Sequence, residues 1–462
     1  MAIDSKHSEY LEYKNQWDRC EDVVEGQDEI HKEGIEYLPR LSGQTDAEYY
    51  AYKKRAMLYN ASARTVNGLT GLLFLKPEVI TAPAAMDSII ADVTMGGLSL
   101  HQFAEIISEE VITIGRCAVL VDFPPIINAV TLAQAQAQGA RPYATMYDAE
   151  SIINWKTGRI NNVEHLTLVV LEEENEVAVD EFESKCEPQW RVLDLIDGVY
   201  RQRVFRKDKR GEFVLIDEVY PQINGRPLNK IPFEFFGVRD NSPCVDKPPL
   251  LDLVDVNLSH YRTTADYEHG LHFTGLPTPV VTGYYSDDKS ASLRIGSGTA
   301  WLLPDSQSKA FYLEFTGQGL AELREALRSK EAMMATLGAR ILAPEKRAAE
   351  SAQTANIHRS SENSVLASIA QSISIGLTHV MEYLRDWSGV TGDVKVELNR
   401  DFIPNSMTAQ DLDVLVKSWQ AGAISANVLF ENLVSADIIS QNTSFDDEQE
   451  RIKINPAGGG LL

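Results

Sequence analysis

The side chains best suited to chemistry are few and scattered. His269 and His272 stand three apart, a spacing that puts two imidazoles on one helix face and could hold a metal ion. No third ligand follows at a matching spacing, so the pair reads as a helix end and no metal site is assigned. Asp252/Asp255 and Glu322/Glu325 could in principle divide acid and base work, yet on exposed helices such pairs are usually solvated faces. Gly296-Ser297-Gly298 is too short to cradle a phosphate and suits a hairpin turn. The chain has no G-x-x-x-x-G-K-[ST], no H-E-x-x-H and no G-x-S-x-G. Cys20, Cys117, Cys186 and Cys244 form no C-x-x-C pair, which argues against a disulfide framework or zinc site and for a reducing compartment. No cofactor and no catalytic residue is therefore expected; the alternative is an acidic soluble enzyme whose active site carries no recognised motif.

Two other groups have a chemistry of contact. Between 338 and 359 the chain carries Arg340, Lys346, Arg347 and Arg359 against Glu345 and Glu350. This local positive excess lies in a chain with 43 basic and 67 acidic residues, a net charge of −24 and a pI near 4.8. Such a balance argues against tight binding of nucleic acid by phosphate neutralisation, but not against a surface that nucleic acid slides past. The basic stretch suits transient phosphate contact or, alternatively, contact with acidic neighbouring subunits. The second group is Tyr284, Tyr285, Trp301, Phe311 and Phe315, in a Gly/Pro-rich stretch. These are either contacts with another chain or a local mini-core.

A length of 462 residues implies two to four structural units. The 44% hydrophobic and 24% charged content rules out wholesale disorder. No apolar run approaches the roughly 20 residues of a membrane span. The opening MAIDSKHSEYLEY lacks the apolar core of a signal peptide. A soluble, cytoplasmically made protein without membrane contact is expected.

Residues 1 to about 115 read as helical. Thr45-x-x-Glu48 is a capping box at the head of one run, with Tyr49, Tyr52, Ala56, Tyr59, Ala63 and Val66 at helical spacing and Pro77 as its stop. A second helix spans about 98–114, with Phe103, Ile106, Ile107 and Val111 on one face. From Ala118 the period changes. Strands are predicted over 118–122, 143–147, 152–155, 163–171, 190–196, 199–205, 214–216 and 231–236, as one antiparallel unit. A helix over 250–270 follows, then an insert with strands at 278–282 and 301–303, then a helix over 320–337. A long helix over 361–387 carries the stripe Leu366, Ile369, Ile373, Leu377, Val380, Leu384 and Trp387. A strand at 394–398 and helices at 408–420 and 425–433 close the pattern, with Gly422 and Ser425 as caps.

This order resembles that of the portal proteins of tailed bacteriophages. The resemblance is carried by Tyr37-Leu38-Pro39, by YYAYKKRAMLYNASARTVNGLTGLLFLKP (49–77), by DAESIINWKTG (148–158), by LGARILAPEKRAAESAQTANIHRSSENSVLASIAQSIS (337–374) and by NRDFIPNSMTAQDLDVLVKSWQAGAIS (399–425). Within the second stretch Tyr52, Arg55, Thr65, Val66, Leu69, Gly71, Phe74 and Pro77 match the family's opening pattern. The resemblance implies an α+β portal-like fold and a homo-oligomeric ring, usually of about twelve subunits, at a unique capsid vertex of the virion. Double-stranded DNA would pass through its channel in packaging and ejection. The terminase would dock on it and then give way to head-completion or tail-adaptor proteins. Major capsid or scaffolding protein would surround it. By the same resemblance, 1–248 is the wing, 249–270 and 318–337 the stem helices, and 271–317 the clip. Residues 338–359 are the tunnel loop with its DNA-facing Arg340, Lys346, Arg347 and Arg359. The long wing helix and strand fall in 360–404, a short crown in 405–440, and a flexible tail in 441–462.

Overall fold

A computed structural model describes residues 3–124, 139–223, 225–274, 278–282, 307–313, 318–341, 364–400, 402, 409–421, 423–435, 444–445 and 448–449. The chain divides into two compact units, Met1–Arg400 and Asp401–Leu462. The first is α+β.

It begins with helices α1 (Ser8–Glu25), α2 (Gln27–Glu33), α3 (Asp46–Arg55) and α4 (Ala61–Leu73). Trp17, Cys20 and Val23 of α1 are fully buried. The capping box forms as expected: Thr45 Oγ1 accepts from Glu48 N, and Glu48 Oε2 accepts from Thr45 N at 2.8 Å. The single run expected after it is instead two helices. The break at 56–60 is fixed from elsewhere in the chain, because Asn257 accepts from Ala61 N and Ser62 N and donates to Tyr59 O. Strand β1 (Val79–Thr81) and the short helix α5 (Asp87–Ala91) lead to α6 (Leu100–Thr113), whose start Ser99 and Gln102 close with a second capping box. Phe103, Ile107 and Val111 face inward, whereas Ile106, expected on that face, is largely outside.

The strands expected as one unit form two principal sheets. β2 (Arg116–Asp122) is central in a three-stranded sheet, between β3 (Tyr143–Asp148) and a strand more than a hundred residues on, β11 (Phe233–Gly237). β4 (Ile152–Ile160), β5 (Val163–Ala178), β6 (Ser184–Ile196), β7 (Val199–Lys207) and β8 (Phe213–Val219) form a five-stranded antiparallel meander in chain order. β9 (Gln222–Ile223) and β10 (Arg226–Pro227) make a small hairpin before β11.

Two long helices, α7 (Leu251–Thr274) and α8 (Gln318–Arg340), flank a hairpin of β12 (Thr278–Thr282) and β13 (Lys309–Leu313). Helix α9 (Val365–Ser388) then crosses the three-stranded sheet. Its predicted stripe is buried throughout, with Leu366, Ile369, Ile373, Leu377, Val380 and Leu384 fully enclosed. Gly376 permits the approach: a Cβ there would lie 2.5 Å from the Phe236 ring. β14 (Lys395–Glu397) pairs with β1 and ends the unit.

In the last turns of α6, Glu110 is largely covered, and its Oε1 is enclosed with no partner. Burial first, then the charges of Asp148, Glu21 and Glu150, push its carboxyl up to about 8 from an ordinary 4.5. Folded Glu110 holds its proton more tightly than the unfolded chain does. Its stabilising contribution is thus complete below about pH 4.5 and is lost as pH rises to about 8. Glu110→Gln is expected to raise Tm by about 2–4 °C at pH 8, with no gain at pH 4. Thermal unfolding at the two pH values checks this; an unchanged pH slope would contradict it.

In the second unit, α10 (Ala409–Gln420) packs on α11 (Ala426–Ser435). Ser425 caps α11 as expected, accepting from Val428 N at 3.2 Å. Gly422 lies outside the described residues.

Candidate functional site

Helices α7 and α8 lie antiparallel. At 1.5 Å per residue they are about 36 Å and 34 Å long. Their ends are read from the contacts: a Cβ on Gly270 would come within 2.6 Å of Leu320 Cδ2. Farther along, Lys330 Nζ donates to Ser259 O at 3.0 Å and to Thr263 Oγ1. His260 Nε2 lies 3.5 Å from Glu331 Oε1. Burial outweighs that carboxylate and lowers the imidazole's affinity for a proton.

The two halves of α7 live in different surroundings. From Leu251 to Ala265 it is rooted in the helical body. Asn257, fully buried, satisfies the first turn of α4, Arg262 Nε donates to Tyr37 O at 2.8 Å, and Tyr261 is enclosed. Beyond Ala265 no residue of α7 is buried, and Phe273 is 63% exposed. The link across the change is Tyr52, whose OH donates to Asp266 Oδ1 at 2.6 Å. Helix α8 is barer still: among its described side chains only Leu327 and Met334 are buried. The pair therefore carries its hairpin away from the body on a stalk with little cover of its own.

At the other end of α8, Leu366 N donates to Ile341 O at 3.3 Å. The two chain positions that bracket 342–363 are thereby held together, one at the end of α8 and the other at the start of α9, whose inner face is buried. Ser364 caps α9 by accepting from Ala367 N at 3.1 Å.

Of the expected contact residues, the structure places Arg340 as the last residue of α8, so the helix runs through Gly338 and Ala339 into the stretch expected as loop. Phe311 sits on β13 opposite Val280 and is half exposed. Tyr284, Tyr285, Trp301, Phe315, Lys346, Arg347 and Arg359 lie outside the described residues, as does the strand expected at 301–303. β13 itself was not expected; KAFYL is too short for its alternation to stand out.

Several of the groups weighed for reaction chemistry have other uses. His269 packs edge-on against Tyr52 and Phe273. Asp252 pairs with Lys247 at 2.8 Å and Asp255 with Arg19 at 3.2 Å, both at the surface. Such pairs are typically worth under about 1 kcal/mol. The four cysteines are unpaired, and burial pushes the Cys20 thiol up to about 12. Among the described residues no three His, Cys, Asp or Glu gather as metal ligands, and no helix is long and apolar enough to cross a membrane. Neither Asn257 nor Lys330, which fix where the stalk stands, carries a local sequence signal; their partners lie 67 to 198 residues away.

Residues 249–388, from the foot of α7 to the end of α9, match the family model described as Domain of unknown function (DUF4055). A comparison with curated proteins gives no match. Among solved structures, the chain is similar to a chain of the virion of a native gene transfer agent (GTA) particle, at 11% identity and a TM-score of 0.41, covering 88% of this chain and 98% of that one. It is similar to a chain of the neck of the empty GTA particle computed with C6 symmetry, at 11% identity and a TM-score of 0.37, over 87% and 96%. It is likewise similar to a chain of the neck of the native GTA particle computed with C12 symmetry, at 11% identity and a TM-score of 0.37, over 81% and 88%.

Proposed function

We propose that this chain is a portal subunit: one member of a ring of about twelve that forms the conduit for double-stranded DNA at a capsid vertex. The observation that carries the proposal is the stalk. Two antiparallel helices, unburied over their outer length and tipped by a β-hairpin, are poorly covered in a single copy; neighbouring copies in a ring would cover one another. The order of elements around the stalk is the one in which the sequence resembles portal proteins. In this reading α7 and α8 are the stem and the hairpin is the core of the clip. The wing is formed by the body with α9, and α10 and α11 are the short crown. The stretch bracketed by Ile341 and Leu366 is the tunnel loop, presenting Lys346, Arg347 and Arg359 to DNA from a rigid base, with Arg340 joining them from the end of α8. Tyr284, Tyr285, Trp301, Phe311 and Phe315 serve contacts at the clip, where the terminase and then a head-completion or adaptor protein would dock. Capsid or scaffolding protein would meet the wing.

Mass photometry of the purified chain tests the proposal. A ring of about twelve 51.4 kDa subunits would weigh roughly 600 kDa. A single species at 51.4 kDa across the accessible concentration range would overturn it and favour the enzyme alternative.

A further inference from the structure

The residues ahead of α1 are tied to the β-meander by a short series of polar contacts. Asp4 pairs with Lys207 of β7 at 2.9 Å. Ser5 O accepts from Asn154 Nδ2 at 2.8 Å, and His7 N donates to Ile153 O at 2.8 Å. Residues 3–7 therefore form a strap on β4, an edge strand whose one sheet neighbour among the described residues is β5. The register of β4 with β5 shifts between Ile152 and Asn154 and skips Ile153, so the strap takes up a carbonyl that the sheet leaves over.

His7 makes two further contacts. It is the N-cap of α1: its Nδ1 accepts from Glu9 N at 3.3 Å, which requires a neutral ring with its proton on Nε2. The ring also stacks on the Trp155 indole, with centroids 4.0 Å apart and planes at 27°. The same indole lies 4.2 Å from the guanidinium of Arg116, which is buried, packs on Phe235 at 4.4 Å and has its Nε and Nη2 unpartnered. An enclosed, under-bonded cation disfavours a second positive charge beside it.

The charged groups facing the imidazole are Glu9 on α1, which favours a proton, and Arg116 on β2, which opposes it; β4 brings the uncharged indole. Lys6 lies over Tyr10 at 4.8 Å, and Asp4 is held by Lys207. Burial of the ring outweighs Glu9, and with Arg116 it keeps the imidazole's affinity for a proton below the ordinary level.

We infer that residues 3–7 are an acid-released strap, in which protonation of His7 undoes the cap of α1 and sets a second cation on the indole that holds Arg116. The sign follows from linkage. The attached strap binds the proton more weakly than the free one, so attachment is complete above about pH 6.5 and weakens as pH falls below it. Release would free Ile153 O and uncover a face of Trp155, which in the attached state is 4% exposed. The device is built into a single copy and does not depend on the ring.

Hydrogen–deuterium exchange of the full chain, corrected for the intrinsic rate at each pH, tests this. Protection of peptides covering residues 3–10 is expected to fall about tenfold from pH 7.5 to pH 5.5, while peptides of α6 keep theirs. His7→Asn supplies a strong cap that does not titrate, so its strap should stay within about twofold across the same interval. His7→Phe keeps an aromatic ring on Trp155 but neither caps nor titrates. Its strap should be less protected than the wild type at pH 7.5 and should lose no more in acid. Equal wild-type protection at the two pH values overturns the inference, as does a strap unprotected even at pH 7.5. So does an acid loss shared by His7→Asn, or one that α6 follows in step.

Discussion

Ile373→Asp is expected to abolish soluble, assembled protein at neutral pH. Ile373 is fully enclosed at the centre of α9, where the helix lies on the three-stranded sheet one turn from Gly376 and its contact with Phe236. Removing the isoleucine forfeits about 2 kcal/mol of burial. The carboxylate that replaces it would be desolvated without a partner, at a further cost of several kcal/mol. Together these take most of the 5–15 kcal/mol that holds a typical domain. The new carboxyl would escape part of this cost by keeping its proton, so the loss should shrink as pH falls towards 5. Ile373→Val, which trims one methylene group, should cost only about 1 kcal/mol and still assemble. Soluble yield and thermal unfolding of the two variants give the comparison; an Ile373→Asp chain that melts like the wild type would place this stripe outside the core.

α9 is also the element most legible in the sequence, and the reason is physical. A buried face repeating at three and four residues can be read from the chain alone, and every member of the stripe is indeed buried. The capping box at Thr45 is equally local. The break between α3 and α4 is not: residues 56–60 are compatible with helix, and what decides the matter is a side chain 196 residues later, Asn257. Strands behave in the same way. Their existence is local, and β12 falls where it was expected at 278–282. Their pairing is not, and β2 finds β11 across the whole meander, which divides an expected single unit into two sheets. The stalk was legible as two helices around a Gly/Pro-rich insert. Its anchoring through Lys330 and Asn257 was not, since both are polar residues whose partners only the fold supplies. The basic stretch was legible only as composition. Its bracketing by Ile341 and Leu366 adds a geometric reason to treat 342–363 as one excursion of the chain.

Changing both Lys346 and Arg347 to Glu is expected to leave rings intact and to reduce DNA packaging at least tenfold. In the proposed channel this stretch carries four basic residues against two acidic ones, in a chain whose net charge is −24. The double change turns a local +2 into −2 for every subunit, or about 48 charges around a ring of twelve. Duplex DNA presents one phosphate per about 1.7 Å of axis, so DNA passing the ring would meet repulsion where it had met weak attraction. Screening confines the effect to about 8–10 Å at physiological salt, which is why it should act at a constriction and hardly anywhere else. Pro344, which denies a helical N–H just before the pair, favours a break in the helix at this point, so neither side chain is needed to fill a core. Two measurements separate the outcomes: ring mass for assembly, and the DNA content of particles built with the variant. A milder loss is expected for Lys346→Gln with Arg347→Gln, which removes the attraction without adding repulsion. Particles that take up and retain a full genome with both glutamates in place would take these residues off the DNA path, and the ring would have to be sought with some other lining.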